Sequence, residues 1–282
     1  MKRKELLVIL LISIMLTLMI GCTTSAPPLQ YGSIDVNSTP TGAKVYINGI
    51  ETGMVTPIVF TKEVGNYSVK LDKFYYEIWE GTVTVNADQT TYINAPLTPA
   101  SIETITLQPG SEGKDSAVVE TLPDNNYGSL TYFYTGSTIL NQKYRAYLQF
   151  DLSTIPTNAR IIDAYSMLYQ INSLGTGNFI VGLYQVTSDW EEGTITWNNQ
   201  PTSSTVLEAS CTVYAAVPAA WRTWYNIGDL VQGWLDGSIT NQGILLNSTD
   251  EASLTMIAVF CSSDYTTDTS KRPKLTINYY IP

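Results

Sequence analysis

The sequence predicts an all-β protein in two unequal parts: a small β-sandwich, then a larger jelly-roll-type β-sandwich carrying one short helix. Three observations predict it. Of 282 residues, 44% are hydrophobic and only 14% charged, with 19 Tyr and 19 Gly, a profile that suits short strands and frequent turns. Short alternating runs of β-branched and aromatic residues recur along the chain, separated by turn residues. One stretch only, "GDLVQGWLDG" (228–237), has helical spacing, with Leu230, Val231, Trp234 and Leu235 on one face and Gly237 as a stop.

The N-terminus reads as an export signal. "MKRK" is basic, the 15-residue apolar run "LLVILLISIMLTLMI" follows, and Gly21 precedes Cys22. That run is short for a membrane span and suits a secretory signal. Its ending resembles a lipobox, which implies cleavage of residues 1–21, lipid on the Cys22 sulfur and a tether over 22–31. An uncleaved anchor and a plain secreted protein are the other readings, and each leaves the remainder outside the cell. Loss of residues 1–21 moves the formal charge from −10 to −12, which disfavours nucleic acid as a partner. The chain has no histidine, which excludes imidazole bases and His-ligated metals. Cys211 and Cys261, 50 residues apart, either pair in an oxidising compartment or stay free. Asn37, Asn66 and Asn247 head N-glycosylation sequons, relevant only in a host that glycosylates exported proteins.

Residues 32–98 form one compact pattern of strands: "SIDVNS", "AKVYING", "TPIVFTKEV", "NYSVKLDKF", "YEIWEGTVTVNA" and "TTYINAPL". Asn48-Gly49 between such runs is a hairpin turn. The stretch "GSIDVNSTPTGAKVYINGIETGMVTP" resembles the PEGA domain, its tetrapeptide standing as Pro40-Thr41-Gly42-Ala43. The resemblance implies a small β-sandwich of exported proteins with no chemistry of its own. "PLTPA" (96–100) follows as a linker.

From residue 101 to 282 the strand rhythm continues with longer loops. Five segments here resemble the DNRLRE family of disaggregatase-related surface proteins and carbohydrate-binding modules. They are "KDSAVVETLPDNNYGSLTYFYTG", "RAYLQFDLSTIPTNARIIDAYSMLY", "SDWEEGTITWNNQP", "WYNIGDLVQGWLDGSITNQGILL" and "FCSSDYTTDTSKRPKLTINY". Ser166 stands where the family has leucine and Thr135 where it often has valine. The resemblance implies a sandwich that binds polysaccharide without cleaving it. A structural or adhesive role through protein contacts, and a disaggregatase-like hydrolase or lyase, are the alternatives.

Candidate sites follow from alternation. Glu191 and Glu192, between Trp190 and Trp197, suggest a glycosidase pair. Neighbours on a strand point to opposite faces, whereas paired carboxylates must share a side of the sugar. "TITWNNQP" therefore reads as a core strand with Ile195 and Trp197 inward, Trp190 and Trp197 as core or lid anchors, and Glu192 bonded to backbone amides. On the face opposite Ala146, Leu148 and Phe150 stand Arg145, Tyr147 and Gln149. Opposite Phe133 stand Tyr132 and Tyr134, and Tyr165 and Tyr169 flank Met167. If these strands are neighbours, one face carries tyrosines, an arginine and an amide, a surface suited to a glycan. The competing reading covers that face with a loop or helix. Trp221 and Arg222 add either a sugar contact or a buried edge. No cofactor is implied beyond a possible structural calcium. Asp115, Asp124, Asn125, Asn126 and Asp151 are oxygen donors near strand ends, without EF-hand spacing, and turn capping is their alternative role.

Overall fold

The computed structural model describes residues 28–138, 140, 142–215, 219–251 and 256–282. Residues 1–21, read from the sequence as an export signal, and Cys22 lie outside the described residues. The chain divides into two compact units. Residues up to 72 together with 79–97 form the first, and 73–78 together with 98–282 form the second.

The first unit stacks two small sheets. One pairs β4 (Ile58–Glu63), β1 (Tyr31–Thr39) and β7 (Thr90–Pro96), with β1 and β7 parallel. The other runs β3 (Ile50–Val55), β2 (Lys44–Ile47), β5 (Gly65–Asp72), β6 (Trp79–Val85). Alternation puts Ile34, Val36, Val45, Ile47, Val69 and Leu71 into a buried core. The predicted hairpin joins β2 to β3: Asn48 and Gly49 both have positive φ, 51° and 80°, as a type I′ turn requires. Gly32 is needed for space, since a Cβ there would stand 2.1 Å from the Asn86 carbonyl oxygen.

The second unit is one curled sheet of eleven strands. In chain order they are β8 (Ile102–Leu107), β9 (Lys114–Val119), β10 (Tyr132–Ser137), β11 (Lys143–Gln149), β12 (Arg160–Leu174), β13 (Asn178–Gln185), β14 (Ala209–Tyr214), β15 (Ala220–Trp224), β16 (Ile244–Ser248), β17 (Ile257–Cys261) and β18 (Lys274–Tyr280). Across the sheet the order is β14-β13-β16-β11-β10-β17-β12-β18-β8, with β15 on β12 and β9 on β11. Curling brings both ends of this order into one core. Val181 and Val213 meet Phe260, Leu275 and Trp224 there, and the Trp224 indole donates to the Val181 carbonyl at 2.9 Å. The fold is thus an all-β sandwich of the jelly-roll type.

The helix forms as its spacing predicts. α1 (Gly228–Asp236) buries Leu230, Val231 and Trp234, and Gly237 closes it at φ 76°. Its Gln232 side chain accepts from the Ile161 amide at 2.8 Å, which ties α1 to the start of β12.

One expected element is absent. "TITWNNQP" is not a strand; residues 192–194 and 197–199 are turns. The Ile195 amide donates to Glu191 O at 2.9 Å, and Asn199 Oδ1 accepts from the Thr196 amide. Local side-chain and i→i+4 bonds thus take the groups that a ladder would use. The anchoring survives without the strand. Trp190 and Ile195 are buried with Val118, Tyr147, Val186 and Leu245 in a second, smaller apolar cluster, against which Trp197 packs.

Candidate functional site

The outer surface of the curled sheet is where a ligand could reach tyrosines, and two covering segments decide how much of it is open. The first is the loop after β13, residues 186–205. It lies over the outer face of β11 and removes that face from solvent. Tyr147 is 1% exposed, its hydroxyl donates to Gln200 Oε1 at 3.0 Å, and its ring packs 5.8 Å from that of Trp190. Desolvation drives its pKa well above the usual phenol range. Arg145 is clamped by Glu251 through two bonds of 2.8 and 2.7 Å, donates to Gln200, and lies 4.7 Å from the Trp197 ring. Gln149 donates to the Asn241 carbonyl at 2.6 Å. Tyr147 and Arg145 pack beneath the loop and do not form part of an open face, whereas Gln149 is half-buried and lines a separate open pocket with Lys114, Asp151 and Asn241.

The glutamates of this loop are separated too. Glu192 accepts from the Asp115 backbone amide at 3.0 Å, the amide-bonding role that alternation suggested. Asp115 is 1% exposed and accepts from the Ser263 amide at 2.7 Å. Burial raises its pKa to about 7, with the negative charges of Glu192 and Asp264 adding to the shift.

The second cover is the segment from Ser262 to Pro273, which crosses β17. Tyr265 packs 5.4 Å from Tyr132, and Lys271 places its ammonium 4.9 Å from the Tyr169 ring centroid. Cys261 is fully buried beneath it, its thiol pushed up to about 11 by desolvation. The expected continuous tyrosine face is therefore divided. Tyr132 is under the segment, Tyr134 lies to one side, and Tyr165 and Tyr169 lie to the other.

The disulfide alternative is corrected here: Cys211 and Cys261 are both free. They stand on β14 and β17, with four strands between them in the sheet order. Cys211 packs against the inner core, whereas Cys261 pairs across the ladder with the outward Tyr132.

The calcium candidates do not gather either. Asp124 accepts from Asn198 at 2.8 Å, and Asn126 donates to the carbonyls of Glu192 and Ile195. Asn125 lies near the Tyr127 hydroxyl, and Asp151 caps Ser153. Among the described residues, no three acidic or cysteine side chains are grouped to hold a metal ion.

What remains open is a platform on β12, β15 and β18. The register sets Tyr169 opposite Trp221 and Met167 between Thr223 and Lys274. Tyr169 and Trp221 meet edge to face at 5.3 Å, and Lys274 Nζ sits 4.5 Å from the Trp221 ring. Four residues along β12, about 13 Å at strand rise, Tyr165 packs 5.6 Å from Tyr225, which is 60% exposed. Beyond it runs a polar ladder: Thr106 to Thr276 at 3.0 Å and Thr104 to Asn278 at 2.7 Å. Arg222 departs from the expected pairing with Trp221. As its neighbour on a strand it points to the opposite face, where it donates to Gln170 at 2.6 Å and lies 5.3 Å from the Tyr214 ring.

Lys271, Lys274 and Tyr225 were not among the sequence candidates. Lys274 was legible in principle, since Lys274, Thr276 and Asn278 alternate with Leu275 and Ile277. Lys271 reaches Tyr169 from a loop, and no periodicity announces that.

Comparison with known families gives two matches. The model of carbohydrate-binding module family 96 matches residues 106–279, and that of the PEGA domain matches residues 31–101. The sequence motifs pointed to the DNRLRE family; what the family 96 match supports is a carbohydrate-binding module. Among curated proteins, none matches the chain.

Proposed function

Because the chain belongs to carbohydrate-binding module family 96 and carries a PEGA domain, we propose that the Tyr165–Tyr169–Trp221 platform is its polysaccharide contact. The carrying observation is the Tyr169–Trp221 pair on an outer face, framed by Lys271 and Lys274. Aromatic faces accept the C–H side of a sugar ring, and donors at the rim orient its oxygens. An ammonium over an exposed ring is held by only about 0.5–1 kcal/mol. An arriving sugar can therefore displace Lys274, which then serves as a donor to hydroxyl or carboxylate oxygens, while Lys271, also paired with Asp268 at 3.3 Å, stays at the rim. The platform offers no facing carboxylate pair, so binding proceeds without a covalent step. The reading extends to location: the N-terminal segment exports the chain, lipid on Cys22 holds it at the cell surface, and the PEGA domain acts as a spacer.

The test is a glycan array on the full chain without residues 1–21, with a reducing-sugar assay on every ligand bound. Binding without product is expected, and Trp221→Ala should weaken it about tenfold, ~1.4 kcal/mol, at an unchanged melting temperature. Sugar release would make the protein an enzyme. Unaltered binding by the variant would move the site elsewhere.

A further inference from the structure

On the other side of the Ser262–Pro273 segment lies an open groove of about 550 Å³, walled by the loop after β9 and the ends of β10 and β11. Leu122, Tyr127, Leu130, Tyr134, Gln142 and Tyr144 contribute to its lining, and among the described residues no charged side chain does. Leu122 and Leu130 are 50% and 40% exposed. The rings of Tyr134 and Tyr144 meet at 6.1 Å and 58°, forming a corner rather than a closed stack. The adjacent Glu120 and Lys143 pair with each other at 3.2 Å.

We propose that this groove is a second glycan site, holding a neutral sugar ring and independent of the Trp221 platform. The inference rests on the polysaccharide-binding reading. Three features select the occupant. An ionised ligand would lose hydration against an uncharged wall with no counter-charge. A pure hydrocarbon would leave three phenols and an amide without partners. A neutral sugar meets both conditions, with C–H groups on the leucines and rings and hydroxyls toward Tyr127, Tyr144 and Gln142. Those hydroxyls are available for exchange: Asn125–Tyr127 and Tyr144–Gln142 bond at 3.5 and 3.4 Å, the outer limit of useful length. The walls are already fixed. Ser262 donates to the Leu130 carbonyl at 2.7 Å, and the Asn198 amide donates to the Pro123 carbonyl at 3.1 Å. Binding therefore need not order the loop. Two sites of different chemistry on one module would make a long polymer bind more tightly than a short oligomer.

The test titrates the full chain by calorimetry with cellohexaose, maltohexaose and mannohexaose. At least one should bind. Leu122→Asp, a charge placed on a half-exposed loop residue, should weaken that ligand about tenfold or more, and Gln142→Arg should do the same. Trp221→Ala should leave the affinity within about twofold. Melting temperatures matching the wild type show that the variants fold. If both groove variants leave every affinity intact while Trp221→Ala removes polymer binding, the second site falls and the platform stands. If no neutral hexamer binds, the second site falls as well. Loss in the groove variants with no effect of Trp221→Ala on the hexamers is the result expected of the groove; the platform is judged separately, by Trp221→Ala on the polysaccharide that the array identifies, and falls if that binding is unaltered.

Discussion

Asp115 is a carboxyl placed where water cannot reach it, with two further acids nearby. Unfolded, it ionises near its ordinary 3.8; folded, it keeps its proton to about 7. The folded state then binds more protons than the unfolded one across that interval. Its contribution to stability is full below pH 4 and is lost as pH rises toward 7, by on the order of a few kcal/mol. Glu192, also raised by burial, acts with the same sign. Chemical denaturation at pH 5 and pH 8 should therefore show lower stability at pH 8. Asp115→Asn, which can still accept from the Ser263 amide, should remove most of that difference. Two other residues carry a cost that substitution can remove. Thr135 and Ser166 are wholly buried with hydroxyls that have no partner. They are also the two positions at which the sequence resemblance leads us to expect apolar residues. Thr135→Val and Ser166→Ala should each stabilise by about 1 kcal/mol, read as a rise in melting temperature on the order of 2–4 °C.

At the scale of elements, the 186–205 loop is the cover that turned an expected binding face into core. Trp190 holds it down. Its indole nitrogen donates to the Gln242 carbonyl at 2.9 Å, and its ring packs on Tyr147 beneath the Lys114 ammonium. Gly243 supplies the close passage beside it, since a Cβ there would stand 2.3 Å from the Leu148 carbonyl oxygen. Trp190→Ala should cost about 3–5 kcal/mol and open the loop. Limited proteolysis should then cut within 186–205 well before the strands. Resistance equal to the wild type would show that the Asn126 and Asn198 side-chain bonds suffice to hold the loop. The glutamates that suggested catalysis belong to this same device, one of them bonded to β9.

For the whole molecule, charge and chemistry are distributed unevenly. The chain is acidic, with formal charge −10, yet Lys271 and Lys274 crown the aromatic platform. Their electrostatic contribution is exposed and should be screened. Raising salt from about 0.05 to 0.5 M should weaken binding of a carboxylate-bearing polysaccharide at the platform. An affinity for such a ligand that ignores salt would show that the lysines do not meet its carboxylates. The melting temperature should not move between millimolar calcium and a chelator, because Asp115, Asp124, Asn126 and Asp151 are engaged with separate protein groups and do not converge on one point. A rise with calcium would reveal a site built from other groups.

Sequence by itself determined the all-β class, the helix and its stop, the Asn-Gly hairpin and the inward face at Phe133 and at Ala146, Leu148 and Phe150. These follow from periodicities of two and 3.6, which act over a few residues and are written locally. It also determined which tyrosines point away from the core. What only the tertiary structure decided is which outward residues meet solvent. Tyr147, Tyr132 and Tyr169 alternate identically along their strands, yet the first is sealed by a loop, the second lies under Tyr265, and the third stays half-exposed between Trp221 and Lys271. Loops carry no period. Their path is set by contacts between residues far apart in the chain, such as Gln200 on Tyr147 and Lys271 on Tyr169, and those contacts exist only once the sheet has curled.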